Sequence, residues 1–318
     1  MKRFAANSLI GIVGLTLVVT LAWFTIPNTV AKGLITLNNM SAGLSAKTVT
    51  TEIGDIHYLE GGQGETIVMV HGIYARKEHW VDLARHLVDD YHVIAIDLPG
   101  FGDNEKRADT DYLIGQQQNN LLTVLDALEL KNVHIAANSM GAYVSVVLAD
   151  ARPELVSSFA FIGSPLGVPT SIKSDMDTAL EQGQIPLLVQ TEADFHARND
   201  WLSPNSIYVP GPIFNSWMTS EVATAGKNAR IWDFVHNRSN VPTVLDLAPS
   251  LTMPALIVWC RPDRIFNVSG AGLLDQALPN STLTLLDDCG HLPMLDQPNA
   301  VADVYADFLS NIPPSVEQ

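Results

Sequence analysis

Short apolar runs alternate with amphipathic stretches along most of the chain. The runs "TIVMVHG" (66–72), "YHVIAIDLPGFG", "NVHIAAN", "LVSSFAFIG", "PALIVWC" (254–260) and "STLTLLD" (281–287) read as strands. Several are almost unbroken by polar residues, the pattern of strands covered on both faces. Between them, "WVDLARHL", "YLIGQQQNNLLTVLDAL" (112–128), residues 140–149, "GAGLLDQAL" (270–278) and "AVADVYADFL" (300–309) carry helical spacing. "TVTTEI" and "DIHYLE" flank Gly54 and Asp55, which predicts a hairpin. The βαβα alternation implies a mostly parallel sheet with helices on both faces. Right-handed crossovers then bring the strand C-termini to one edge, where ligands bind.

Two regions break this rhythm. Residues 164–253 hold short helical pieces, several prolines and the aromatics Trp201, Tyr208, Phe214, Trp217, Trp232 and Phe234. An insertion of this kind between two strands reads as a helical lid over the ligand edge, with aromatics that also form its own small core. The core is then expected over 48–163 and 254–318. At the other end, no charge occurs from Phe4 to Ala31, and Leu9 to Ile26 is an apolar run of 18 residues. That length is near the minimum for crossing a bilayer, and Trp23 and Phe24 lie where aromatics suit an interface. Residues 1–27 are therefore expected to be an uncleaved membrane anchor. A signal segment, with "TVA" before Lys32 as a poor cleavage site, is the alternative and yields a secreted protein. Lys2 and Arg3 place the N-terminus inside, so in a bacterial cell the remainder is expected in the periplasm. Residues 28–47 read as a linker or short surface helix.

Composition narrows the function classes. Apolar residues are 47% and charged residues 16% of the 318, which excludes a disordered chain. The net charge is −16 with no run of Lys or Arg, which argues against nucleic acid as a partner. No C-x-x-C pair or H-E-x-x-H helix is present, and "GGQG" (61–64) lacks the order of a dinucleotide loop. Neither a metal nor a cofactor is expected.

The candidate chemistry lies at the strand ends. In "VHIAANSMGAYVSVVLA", Ser139 falls between a strand and a helix, the position of a nucleophile elbow. The helix N-terminus there directs its positive dipole end toward developing negative charge. Small residues are needed two before and two after the serine, and Ala137 and Gly141 supply them; a plain turn serine is the bland reading. A serine hydroxyl needs a base. His291 follows the last predicted strand, whereas His57, His79, His86, His92, His134, His196 and His236 lack such a place. His71 has one, but in "HG" it reads as organising its loop. Asp263, three residues beyond Cys260, would orient the imidazole from an adjacent strand, with Asp287 and Asp288 as competitors. The order Ser…Asp…His is that of the α/β-hydrolases. Two backbone N–H groups, those of Met140 and Ile73, are placed for an oxyanion hole.

On "HGIYARKEHW", "DLPGFGDN", "ANSMGA", "WCRPDRI" and "DDCGHLPMLDQP", the chain resembles the α/β-hydrolase superfamily over roughly 50–312. Within it, "NSMG", "DRIFNVSGAGLL" and "CGHLPMLDQP" look like membrane-anchored monoacylglycerol lipases and related bacterial lipases and esterases. The resemblance implies an α/β-hydrolase fold with Ser139 as nucleophile, His291 as base, Asp263 as its acid, and Ile73 and Met140 as oxyanion donors. The implied substrate is a small amphiphilic ester, a monoacylglycerol or short- to medium-chain acyl ester. Ala137 stands where the family usually has glycine, as does Cys260. Cys260 and Cys289 close neighbouring strands and leave two states open, free thiols or an extracytoplasmic disulfide. Two rival functions remain, hydrolysis of a carbon–carbon bond with the same triad and a non-catalytic receptor on this fold. Epoxide and haloalkane hydrolases need an aspartate in place of Ser139.

Overall fold

A computed structural model describes residues 21–104, 106–205, 208–237 and 241–312. Its centre is an eight-stranded sheet in the order β1-β2-β4-β3-β5-β6-β7-β8. The strands are β1 (Leu44–Thr51), β2 (Gly54–Gly61), β3 (Thr66–Val70), β4 (His92–Ile96), β5 (Val133–Asn138), β6 (Val156–Pro165), β7 (Ala255–Cys260) and β8 (Ser281–Leu286). The β1–β2 pair is the expected hairpin, with Thr51 opposite Gly54, and β2 also runs antiparallel to β4. All remaining neighbours are parallel, as the alternation predicts.

The apolar runs are continuous because each central strand serves two cores. On β5, Val133, Ile135 and Ala137 enter one cluster and Ala136 the other. On β6, Phe159 and Phe161 face the first cluster, while Ala160 and Ile162 face the second; β7 repeats this with Ile257 and Trp259 against Leu256 and Val258. Period-two side chains pointing to opposite faces leave no solvent side for a polar residue.

Helices cover both faces. They include α1 (Pro27–Ser41), α2 (Val81–Ala84), α3 (Ile114–Ala127), α4 (Ser139–Ala151) and, between β6 and β7, α5 (Asp175–Glu181), α6 (Glu192–Leu202), α7 (Gly211–Ala223), α8 (Ala225–His236) and α9 (Val244–Leu247). After β7 come α10 (Ser269–Ala277), α11 (Pro293–Asp296) and α12 (Pro298–Ser310). The helical insertion thus precedes the last two strands. Three of its helices, α5, α6 and α9, start with reciprocal capping boxes, Ser174 with Asp177, Thr191 with Asp194 and Thr243 with Asp246. Each cap satisfies first-turn donors that a helix cannot satisfy itself.

The structure refines several expectations. "WVDLARHL" forms only the short α2, preceded by a 3₁₀ turn over Lys77–Trp80. The backbone N–H and Nζ of Lys77 are both tied to Asp97, which fixes the entry to this segment. Of the two forms open for residues 28–47, a linker or a short surface helix, the structure has the helix: they form most of α1 and the start of β1. Of the insertion's aromatics, Tyr208 is exposed, whereas Trp232 is buried and Phe195 packs edge-on against Phe214 at 4.9 Å. Residues 1–20 of the expected anchor lie outside the described residues, among which no helix is long and apolar enough to cross a membrane.

Cys260 and Cys289 form a disulfide with Cα atoms 5.4 Å apart, which resolves the choice left by the sequence. It joins the end of β7 to the loop after β8 across a sequence separation of 29. Such a bridge restricts the unfolded chain most. Replacing both cysteines by serine is expected to lower stability by about 2–4 kcal/mol in urea denaturation under non-reducing conditions. Equal midpoints for the two proteins would contradict this.

Candidate active site

Ser139 is the first residue of α4, immediately after β5, and its φ is +53°. A residue with a Cβ is strained in this region, and such strain persists only where the surroundings enforce it. The cause is visible two residues on. A Cβ on Gly141 would lie 2.3 Å from the His71 carbonyl oxygen and 2.6 Å from that of Val70. The first turn of α4 therefore presses directly on the end of β3. The main chain is fastened from the other side, where the Leu166 N–H donates to the Ser139 carbonyl at 3.0 Å. Ala137 is buried in β5 opposite Val70 and Phe161, with room for its methyl group.

Asp263 and His291 meet at the same edge. The His291 Nδ1 lies 3.2 Å from Asp263 Oδ2. Asp263 Oδ1 accepts from the N–H groups of Ile265 and Phe266 at 2.8 and 3.2 Å, which leaves Oδ2 for the imidazole. The sequence did not reveal a third group here. Ser164 Oγ donates to Asp263 Oδ2 at 2.5 Å and lies 2.9 Å from His291 Nδ1, from which it accepts. Ser164 is the penultimate residue of β6, which lies between the strands carrying Ser139 and Asp263. With Nδ1–H engaged, the lone pair falls on Nε2, which is buried and has no hydrogen-bond partner among the described residues. Asp287 instead pairs with Arg261 and is exposed, as is Asp288.

The histidine loop is clamped at each residue. Cys289 is in the disulfide, and the Gly290 N–H donates to Asp296 Oδ2 at 2.7 Å. The His291 N–H donates to the Leu202 carbonyl at 2.8 Å, and its carbonyl accepts from Asn138 Nδ2 at 3.1 Å. Asn138 Nδ2 also donates to the Ile162 carbonyl at 2.8 Å. The residue before Ser139 therefore ties together β5, β6 and the histidine loop.

Ile73 and Met140 both belong to segments that adjoin Ser139. Met140 is in the first turn of α4, where N–H groups have no intrahelical acceptor. Ile73 follows Gly72, whose Cβ, if present, would come within 3.0 Å of the Ser139 Cβ. This loop is braced by His71, whose Nδ1–H donates to the Gly72 carbonyl at 2.7 Å while Nε2 accepts from the Leu98 N–H at 3.0 Å. Burial lowers the His71 pKa from 6.5 to about 4, so the ring stays neutral and serves the loop, as "HG" suggested. Lys77 braces it further, with Nζ 2.8 Å from Asp97 and 2.5 Å from Asp103. Burial alone would lower the Lys77 pKa, but Asp97, Glu78 and Asp103 raise it overall.

Ser139 and His291 open onto a cavity of about 620 Å³. Leu187, Phe195, Ile213, Phe214 and Trp217 from the insertion give it an apolar wall. Leu34, Ile35, Asn38 and Asn39 of α1 form another wall, a contribution the sequence did not signal. Among the described residues, no cluster of side chains is suited to a metal ion.

Comparison with known proteins agrees with this geometry. A family model described as "Alpha/beta hydrolase family" matches residues 67–304. Lipase 1 of Psychrobacter immobilis is 29% identical over 291 residues, covering 89% of each chain. Human monoacylglycerol lipase ABHD6 is 24% identical over 260 residues, covering 79% of this chain and 77% of that protein. Among solved structures, a bacterial membrane phospholipase A, described as a virulence factor, superposes with a TM-score of 0.87. It shares 32% identity, and the match covers 98% of this chain and 99% of that one.

Two measurements probe the site. Ser164→Ala is expected to lower kcat toward an ester by about tenfold with little change in KM, because Asp263 and His291 each lose a partner. An unchanged kcat would remove Ser164 from the site. The neutral His71 contributes stability that is fully present above its unfolded pKa of 6.5 and is lost as pH falls toward about 4. Urea denaturation of the wild type and His71→Asn is therefore expected to show a pH-dependent difference that shrinks by about 2 kcal/mol between neutral pH and pH 5. Parallel stability–pH curves would contradict a neutral His71.

Proposed function

The chain belongs to the α/β-hydrolase family, and from that membership we propose that it is a serine carboxylester hydrolase acting on lipid-like acyl esters. The observation that carries this reading is the Nε2 of His291, without a partner among the described residues and backed by Asp263, on the cavity that also holds the strained Ser139. Ser139 is the nucleophile, His291 the base and Asp263 the acid that orients it. Ser139 Oγ attacks the acyl carbon while His291 Nε2 takes its proton. The oxygen that gains negative charge is held by the N–H groups of Ile73 and Met140. His291 then protonates the departing alcohol, leaving the acyl group on Ser139. A water molecule, deprotonated by His291, releases the acid and restores the serine.

The apolar cavity wall suits an acyl chain, and relatives named as lipases and monoacylglycerol lipases favour glycerol esters and short- to medium-chain esters. Residues 164–253 serve as the lid and residues 48–163 with 254–318 as the catalytic core. The apolar segment within residues 1–27 anchors the protein, with the catalytic part on the extracytoplasmic side. The Cys260–Cys289 disulfide supports that side, since such bridges persist in oxidising compartments.

Incubation with a fluorophosphonate probe is expected to label the wild type and not Ser139→Ala. Ester hydrolysis should fall by a factor of about 10⁴ or more in the variant. Folded wild-type protein that neither labels nor hydrolyses esters would overturn the reading. Retention in the membrane pellet after carbonate washing is the expected result for the anchor, and release into the supernatant would overturn it.

A further inference from the structure

Two residues after Gly72 the backbone takes a shape that a tyrosine rarely adopts. Tyr74 has φ +57°, in the left-handed region where a Cβ is crowded and glycine is the usual occupant. It is the third residue of a turn over 72–75, closed by the Ala75 N–H donating to the Gly72 carbonyl at 3.3 Å. That bond is long, and a turn with a positive φ at its third residue normally takes glycine or asparagine there. Strain of this kind persists only where the surroundings hold it. The Tyr74 side chain supplies the hold, because its hydroxyl donates to the Asn228 carbonyl of α8 at 2.6 Å. Burial raises the pKa of this hydroxyl, so it stays a donor. Helix α8 is itself fastened to the core, with Lys227 Nζ 2.7 Å and Arg230 Nε 3.1 Å from the Asp109 carboxylate. The Ile73 and Tyr74 side chains both pack against the cluster of Met176, Leu187, Trp232 and Ile265, of which the first three belong to the insertion.

We propose that Tyr74 is a positioning residue for the oxyanion hole: by tying the 72–75 turn to α8, it aims the Ile73 N–H at the oxygen that gains negative charge. The inference rests on the ester-hydrolase reading of Ser139 and on Ile73 as one of its donors. Such a donor is effective only when its direction is fixed before charge develops. The Gly72 carbonyl and the Ile73 N–H belong to one planar trans peptide and point in opposite directions. Whatever holds that carbonyl therefore aims the N–H. His71 Nδ1–H holds it at 2.7 Å and the Ala75 N–H at 3.3 Å. The second of these lasts only while Tyr74 keeps its left-handed φ, and the bond to α8 is what keeps it. Without the hydroxyl the turn relaxes and the Ile73 N–H swings away. The Met140 donor, set by the start of α4, does not depend on Tyr74, so losing the tie weakens the hole without abolishing it. The insertion thereby acts on the chemical step as well as walling the cavity.

The test uses the full-length protein in detergent with 4-nitrophenyl octanoate and its thiono analogue, in which sulfur replaces the carbonyl oxygen. Sulfur is a weak acceptor, so the thiono ester gains little from oxyanion donors. In Tyr74→Phe, kcat on the oxygen ester should fall by about tenfold with KM little changed, while kcat on the thiono ester stays close to that of the wild type. Tyr74→Gly accepts the positive φ without strain but lacks the tie, and the same fall in the oxygen-to-sulfur ratio is expected. Near-UV circular dichroism of each variant reports that the fold is retained. An unchanged ratio in either folded variant would overturn the proposal. So would equal losses on the two esters, which mark a merely structural role, or a loss confined to KM. Failure of the wild type to cleave the oxygen ester would instead overturn the underlying hydrolase reading.

Discussion

The arrangement depends on a contact with no side chain in it, the approach of Gly141 to the carbonyl oxygens of Val70 and His71. Only a residue without a Cβ lets α4 start so close to β3. That closeness forces Ser139 to φ +53°, a conformation whose cost of about 1–3 kcal/mol the rest of the fold must offset. Compensation is spread through the fully buried strands on either side and through the fastening of the Ser139 and Asn138 amides. Once the elbow is fixed, neighbouring parallel strands deliver the other groups to the same edge. Ser164 arrives on β6, Asp263 after β7 and His291 after β8, in the spatial order of the sheet.

Asn138 and the disulfide extend this logic. A parallel sheet positions where a loop begins but not where its middle lies. The histidine loop is therefore fixed by four separate attachments between Cys289 and the His291 carbonyl. Three act on the backbone and one on the Cys289 side chain, leaving the imidazole to be oriented by Asp263 and Ser164. A neutral histidine and a buried lysine do the same for the loop carrying Ile73. Charge is used there only where carboxylates surround it.

Strand ends were the legible part of the site. Ser139, Asp263 and His291 each follow an apolar run, and period-two strands with right-handed crossovers bring such ends to one edge without further information. Ser164 also ends an apolar run, but a serine after Gly163 looks like an ordinary turn, and its partners lie 99 and 127 residues away. The cysteine pairing was open because sequence gives no distance between loops. The role of α1 was hidden for a different reason. Its amphipathic pattern says only that one face is covered, and the covering surface is built by residues far along the chain.

Helix α1 is the short helix that was one of two readings for its position, and its start is fixed. Residues 21–25 are helical, Ile26 N–H donates to the Ala22 carbonyl, and the Ile26 carbonyl accepts from Thr29 and Val30. The chain thus enters α1 through a hydrogen-bonded corner at Pro27, with no slack. Each residue within such a helix turns whatever precedes it by about 100° and advances it by about 1.5 Å. The heading of the cavity relative to residues 21–25 is therefore a counted quantity, like the phase between two gears. A single insertion near Gly33 would leave every catalytic contact intact and point the mouth of the cavity in a new direction.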